Sequence, residues 1–471
     1  MEKLADLWER GMNVGKTQDK KYLFEAMPMG RAYLTMSLPM VLSALVTMLY
    51  NLADTFFVGM LADPVQNAAV TLVYPVTLAF NAVNNLFGVG ASSMMSRCLG
   101  AGEEEKVRTS AAFGFYGALF SGLLFSLGCG IFRSPLLGIL GADPVTFEAT
   151  SQYLFWTVCL GAAPTILNVV QSYLVRAEGS ALHASIGTMS GCLLNILLDP
   201  FFILPWGLNM GAAGAGLATF LSNGIACGYF VVLARHKGKK TYVSMDIRRL
   251  KLLTRELVVG VTTVGVPAAI QNLVNVTGAA ILNNFTAGFG APAVAAMGIA
   301  QKLHSVVFQI MQGAGQGVMP LVSYNYASGN RKRMKYSVSF ALRITIPLGL
   351  AATVLYWVKT PELIRLFIEN EEIVVIGTRL LRATSLSMVC LGIDFMAIGV
   401  FQALGLGRYA LVYAMLRKVI MEIPLLFLLN RICPLYGLPY AQVISEAVLA
   451  VTSFIMLGRI FRRAPDLPAH P

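Results

Sequence analysis

Residues 33–58 read YLTMSLPMVLSALVTMLYNLADTFFV, and Asp54 is the one charged side chain among them. A helix needs ~20 predominantly apolar residues to cross a hydrocarbon core of about 30 Å. This stretch therefore predicts a membrane span. Runs of the same kind follow near 69–96, 109–131, 150–174, 180–203, 211–234, 257–286, 293–320, 337–358, 376–404, 409–430 and 436–458, which makes twelve spans. Several contain proline (Leu38-Pro39, Tyr74-Pro75, Val266-Pro267). Membrane helices tolerate it because neighbouring helices satisfy the freed backbone groups. The runs are continuous, whereas the strands of an outer-membrane barrel alternate over ~10 residues, so a barrel is excluded.

Composition agrees. The 471 residues are 56% hydrophobic and 13% charged, with a mean hydropathy of +0.66. Soluble domains carry about 25% charged residues, and disordered chains are richer still in charge. The net charge of +12 would suggest nucleic-acid binding in a soluble protein. Here the cations lie between apolar runs and set topology instead. With both ends inside, 26 Lys and Arg fall on the cytoplasmic side and 4 (Arg133, Lys359, Arg365, Arg431) on the other. This predicts a multi-pass protein of the plasma (cytoplasmic, inner) membrane with both termini cytoplasmic. The remaining six cations, Lys302, Arg343, Arg379, Arg382, Arg417 and Lys418, lie in or at the edge of spans. Arg417 and Lys418 read as snorkelling toward the cytoplasmic face. The seven cysteines are odd in number with no CxxC, which suggests neither a disulfide frame nor a zinc site. The first 32 residues are charged and mixed in sign, unlike a signal peptide.

The chain repeats itself. Pro39 has a counterpart in Pro267, Gly100-Ala101-Gly102 in Ala327-Ser328-Gly329, Ala177-Glu178-Gly179 in Ala403-Leu404-Gly405, and Gly211 in Gly437. Six spans separate each pair, so the two copies have the same orientation, related by an axis along the membrane normal. The expected organisation is an all-α membrane protein of two pseudo-symmetric six-helix lobes: a cytoplasmic segment 1–32, a lobe 33–234, a basic linker 235–256, a lobe 257–460 and a tail 461–471.

Enzyme signatures are missing. Gly11-Met-Asn-Val-Gly-Lys-Thr17 resembles a P-loop, but three residues separate its glycines where four are required. The four histidines stand alone, and no HExxH or GxSxG occurs. The expectation is no enzyme and no cofactor.

Intramembrane carboxylates are the informative residues, because a charge at mid-bilayer costs about 2.5–3.5 kcal/mol or more and usually marks an ion or substrate path. Asp54, Asp199, Asp394, Glu422 and Glu446 lie inside runs. Helices 1 and 5 run outward and helix 6 inward, which puts Asp54, Asp199 and Thr219 at similar depth, with Asn195 one turn from Asp199 on the same face. These four oxygen-bearing side chains suit Na⁺ coordination. Equally, burial and like-charge repulsion suit carboxyl groups to proton uptake and release. The bland reading is that Asp199-Pro200 ends a helix and Asp54 caps a kink. In the other lobe, Gln271, Lys302, Asp394, Glu422 and Glu446 form a possible polar site, with Lys302 and Glu446 as a neutralising, structural pair. The glycine run 211–216 reads as close helix packing.

Four segments then carry a resemblance: YNLADTFFVGML (50–61), GVGASSMMSRCLGAG (88–102), RAEGSALHASIGTMSGCLLNILLDPFFI (176–203) and GQGVMPLVSYNYASGN (315–330). Together they resemble the MATE (multidrug and toxic compound extrusion) family over residues 30–460, nearer its DinF- and MepA-like bacterial branch than its NorM-like one. The resemblance implies twelve helices in two lobes. It implies export of cationic or amphipathic organic compounds by alternating access against inward H⁺ or Na⁺. It also implies that Asp54, Asn195, Asp199 and Thr219 are the coupling residues, and the Na⁺ ligands if Na⁺ is used. NorM-like members carry an acid in helix 7, which is absent around Gln271, and Asp394 would partly substitute in helix 10. The partners implied are small organic cations and the lipid bilayer, with no nucleic acid and a monomeric protein. The alternatives are a lipid-linked saccharide flippase of the same superfamily, for which a larger cationic cavity is expected, and a membrane enzyme.

Overall fold

The computed structural model describes residues 17–463. The P-loop-like stretch up to Lys16 and the tail beyond Arg463 lie outside the described residues. Every regular element among those described is helical. A short α1 (Thr17–Glu25) precedes α2 (Met29–Gly59), α3 (Pro64–Gly100), α4 (Glu104–Ile131), α5 (Arg133–Ile139), α6 (Phe147–Leu160), α7 (Ala162–Ala177), α8 (Ala181–Ile203) and α9 (Ala212–Lys237). The linker makes two 3₁₀ turns, Gly238–Lys240 and Ile247–Leu252. Then come α10 (Arg255–Ala287), α11 (Ala291–Ala327), α12 (Arg331–Arg365), α13 (Glu371–Ser385), α14 (Met388–Ala403), α15 (407–432) and α16 (Leu438–Arg463).

Nine of these helices are long and apolar enough to cross a membrane, and α6–α7 and α13–α14 each make one more, bent by 46° and 44°. The helix α15 is as long as several of these but carries Arg417, Lys418 and Glu422 in a π-helical turn at its middle. Those charges are why its composition alone is a weaker span signal. The chain is a multi-pass membrane protein with nine apolar spans among the described residues, or eleven when each bent pair counts as one.

Proline and glycine place the breaks where the repeat expects them. Pro39 lies inside α2 and Pro267 inside α10. Gly179 and Gly405 close the helices before them with φ of +89° and +76°. In both, the glycine N–H and the next N–H bond back to carbonyls of the last turn (Gly179 to Arg176, Ser180 to Val175; Gly405 to Gln402, Leu406 to Phe401). This is a Schellman end, for which a residue without Cβ carries no steric penalty.

Packing divides the chain into two compact units. The first comprises residues up to Ala26 and Leu42–Ala269, and the second Met27–Val41 and Ile270 onward. Both divisions fall two residues after a matched proline, Pro39 and Pro267, and the linker packs with the first unit. The first unit's core includes Met94, Phe80, Leu154, Ile166, Leu174 and Phe230, and the second's Met311, Leu380, Leu391, Tyr356 and Leu426.

Candidate functional site

In the first unit, α2, α6, α8 and α9 bring together the residues expected from sequence. Asn195 and Asp199 are one turn apart on α8 and are both buried. The Asn195 amide, oriented so that donors meet acceptors, donates to Asp199 Oδ2 at 2.9 Å and accepts from the Thr219 N–H at 3.0 Å. Its oxygen end also lies 3.3 Å from the Thr219 hydroxyl. Asp54, half-buried on α2, lies close enough for its charge and that of Asp199 to repel each other. Its Oδ1 is enclosed yet has no hydrogen-bond partner among the described residues. An acceptor left unpaired in a low-dielectric setting is costly, so this oxygen is a position for a proton or a cation.

Two tyrosines complete the cluster. Tyr50, one turn before Asp54, lies beside Thr219 and faces both carboxylates. Tyr153 on α6 faces Asp54, Tyr50 and Asp199. A polar track continues along α9 toward its C-terminal end. Asn223, one turn after Thr219, donates to the Thr219 carbonyl at 2.9 Å, and Asn168 Nδ2 donates to Asn223 Oδ1 at 2.9 Å. The i−4 spacing of Tyr50 from Asp54 and the i+4 spacing of Asn223 from Thr219 were the available sequence signals for these residues.

In the second unit the charges pair differently from expectation. Lys302 is exposed and makes no ion pair among the described residues, so the expected Lys302–Glu446 pair does not form. Glu446 instead faces Arg417, with Nη1–Oε1 at 3.6 Å and relative exposures of 1% and 2%. Arg417 also donates to Asn275 Oδ1 at 2.5 Å. It does not snorkel to the cytoplasmic face, because it lies ten residues, about 15 Å, along α15 and points into the helix bundle. Lys418, the other expected snorkeller, pairs with Glu422 at 2.6 Å. Asp394 accepts from Ser453 at 3.3 Å and lies close enough to Glu446 for the two carboxyl groups to interact. Gln271 is buried one turn before Asn275, and Asn275 is the residue that meets Arg417. The structure thus brings Asp394 and Glu446 together with Arg417, sets Glu422 against Lys418, and leaves Lys302 outside.

No trio of His, Cys, Asp or Glu shaped for a metal ion occurs among the described residues. The first-unit cluster offers carboxylate, amide and hydroxyl oxygens, the hard donors that suit Na⁺ more than a transition metal.

The MatE family model matches this chain twice, over residues 39–201 and 267–428. The chain belongs to the MatE family. The two matches are the two halves of the internal repeat. The chain is 31% identical to the multidrug export protein MepA of Staphylococcus aureus (strain MRSA252), over 93% of its own length and 96% of that protein's. It is 30% identical, at the same coverages, to MepA of Staphylococcus saprophyticus. Among solved structures it resembles a multidrug resistance MATE family transporter of the MOP superfamily in its outward-facing conformation (TM-score 0.88, 25% identity, 95% of this chain and 98% of that one). It also resembles a MOP superfamily transporter from Pyrococcus furiosus, described as having a binding pocket of reverse polarity (TM-score 0.85, 25% identity, 95% and 98%). The resemblance to the MepA-like branch of MATE transporters is thereby established across nearly the whole chain.

Proposed function

We propose that this MatE protein is a secondary active multidrug exporter that moves cationic or amphipathic organic compounds out of the cell in exchange for inward H⁺ or Na⁺. The multidrug export proteins that align with 93% of the chain support the cargo. The Asp54–Asn195–Asp199–Thr219 cluster supports the coupling, and the observation that carries it is the enclosed, unpartnered Asp54 Oδ1 beside a second carboxylate. Two anions side by side in a low-dielectric site repel strongly, and no Lys or Arg among the described residues pairs with either. One positive charge, a proton or a Na⁺, therefore enters whenever the cluster closes to water. Asn195, itself held by Thr219, orients one Asp199 oxygen, and Tyr50 of α2 lies beside Thr219. A cation that binds one conformational state more tightly shifts the population toward that state by its differential affinity.

In this reading the protein sits in the cytoplasmic membrane with both termini inside, acts as a monomer, needs no cofactor beyond the coupling ion, binds no nucleic acid and catalyses no reaction. The test is ethidium efflux in proteoliposomes under separately imposed pH and Na⁺ gradients. Gradient-driven efflux by the wild type and its loss in Asp54→Asn are expected. Undiminished gradient-driven efflux in Asp54→Asn would reject the coupling role.

A further inference from the structure

The second unit carries a groove between α12 and α16 whose lining is apolar apart from Ser339 and one cation, Arg343. Leu342 and Ile346 of α12 and Phe454, Leu457 and Phe461 of α16 form its walls, and Arg343 projects among them. The groove measures about 560 Å³. Arg343 is exposed and has no hydrogen bond or ion pair among the described residues. Unpaired cations are rare in spans, and those that occur usually face a partner or a water-filled cavity. Most other cations of the second unit's spans follow that rule: Arg417 has Glu446, Lys418 has Glu422, Arg382 donates to the Trp357 carbonyl and Arg379 lies over the Tyr436 ring, while Lys302, like Arg343, is exposed with no ion pair among the described residues.

The repeat shows what fills the corresponding place in the first unit. At the offset of 227 that relates Gly102 to Gly329, Arg343 of α12 corresponds to Tyr116 of α4. The Tyr116 hydroxyl donates to the Met245 carbonyl at 2.7 Å, and Met245 and Leu253 of the linker pack on that unit's core. So the first unit closes this position with its own chain, using a hydrogen bond plus apolar cover. The second unit presents a guanidinium and apolar walls, and no described segment covers them. What completes it must supply an anion at Arg343 and hydrocarbon along the walls. Phe461 lies between Arg459 and Arg462 at the inner end of α16, which sets the mouth of the groove at the headgroup level of the leaflet these cations face.

We propose that this groove is a binding site for an anionic phospholipid, its phosphate on Arg343 and one acyl chain against Leu342, Ile346, Phe454 and Leu457. Guanidinium matches phosphate geometry bidentately, and basic pockets between membrane helices hold anionic headgroups. This goes beyond the export function and does not rest on it.

Native mass spectrometry of the full-length protein, delipidated and then titrated with phosphatidylglycerol or phosphatidylcholine of identical chains, tests it. The wild type should retain phosphatidylglycerol in preference to phosphatidylcholine. Arg343→Gln should weaken phosphatidylglycerol retention about tenfold, as expected for losing one charge-assisted contact. Gly458→Leu keeps Arg343 but fills the groove, since Gly458 lines it and an added Cβ meets nothing within 4 Å; it should lower retention equally. Lys251→Gln removes the same charge from the linker and should leave retention unchanged. Equal retention of the two lipids by the wild type, unchanged retention in both groove variants, or glycerol 3-phosphate binding as tightly as the whole lipid would each overturn the proposal.

Discussion

Replacing Arg417 with methionine tests the charge arrangement that the second unit's fold creates. Arg417 and Glu446 are 2% and 1% exposed, and their closest N–O approach is 3.6 Å. At that separation, an effective dielectric of about 20 gives an attraction of roughly 5 kcal/mol. Desolvation of both ions opposes most of it, so the pair adds little net stability over an apolar isostere. Removing one partner is different. Glu446 would remain buried beside Asp394 with no cation, which costs about 3–5 kcal/mol. The Asn275 carbonyl oxygen would also lose its donor, adding about 1–3 kcal/mol. Arg417→Met should therefore unfold at a clearly lower temperature in detergent, measured by the monodisperse fraction surviving a heat step. Arg417→Met combined with Glu446→Met should recover most of the loss. Lys302→Met, which removes an exposed cation, should change stability by no more than about 0.5 kcal/mol. If Lys302→Met destabilised as much as Arg417→Met, or if the double variant were no better than the single one, the assigned pairing would be refuted.

Two further outcomes follow from positions outside the cluster. Gly179→Ala places a Cβ on a residue at φ +89°, which costs about 1–2 kcal/mol, and Gly405→Ala should cost the same by the repeat; chemical denaturation of each variant checks both, and a neutral result in either would refute the Schellman assignment. In the linker, burial first and the Glu104 carboxylate next push the Tyr242 hydroxyl up to about 12. A raised value means that the folded state holds this proton more tightly than the unfolded one, so the Tyr242–Glu104 hydrogen bond of 3.1 Å stabilises fully below about pH 10 and is lost as pH rises toward 12. The phenolate absorbance of wild type minus Tyr242→Phe should show that late titration, and an ordinary midpoint near 10 would contradict it.

Much of the candidate site was legible because lipid makes polar residues conspicuous. Asp54 is the one charge in 26 residues, and Asn195 and Asp199 share a face by helical period alone. The direction of each span, from the Lys and Arg count, then put Thr219 at the same depth. Tyr50 and Tyr153 gave no such signal, because an aromatic residue in a membrane helix has many places to lie. The second unit was misread for a related reason. Depth placed Lys302 beside Glu446, but depth says nothing of azimuth, and Lys302 faces outward while Arg417 faces in.

By itself, the sequence determined the all-helical membrane class, the succession of long apolar runs and the internal repeat, and it singled out the intramembrane carboxylates. These depend on local hydropathy, read within a span or its flanking loop. Only the tertiary structure decided which charge meets which, why α2 and α10 each contribute to both packing units, and where Arg343 stands without a partner among the described residues. Those outcomes depend on how each helix is rotated and which helices become its neighbours. They are settled by the packing of many side chains at once, and no single segment encodes them.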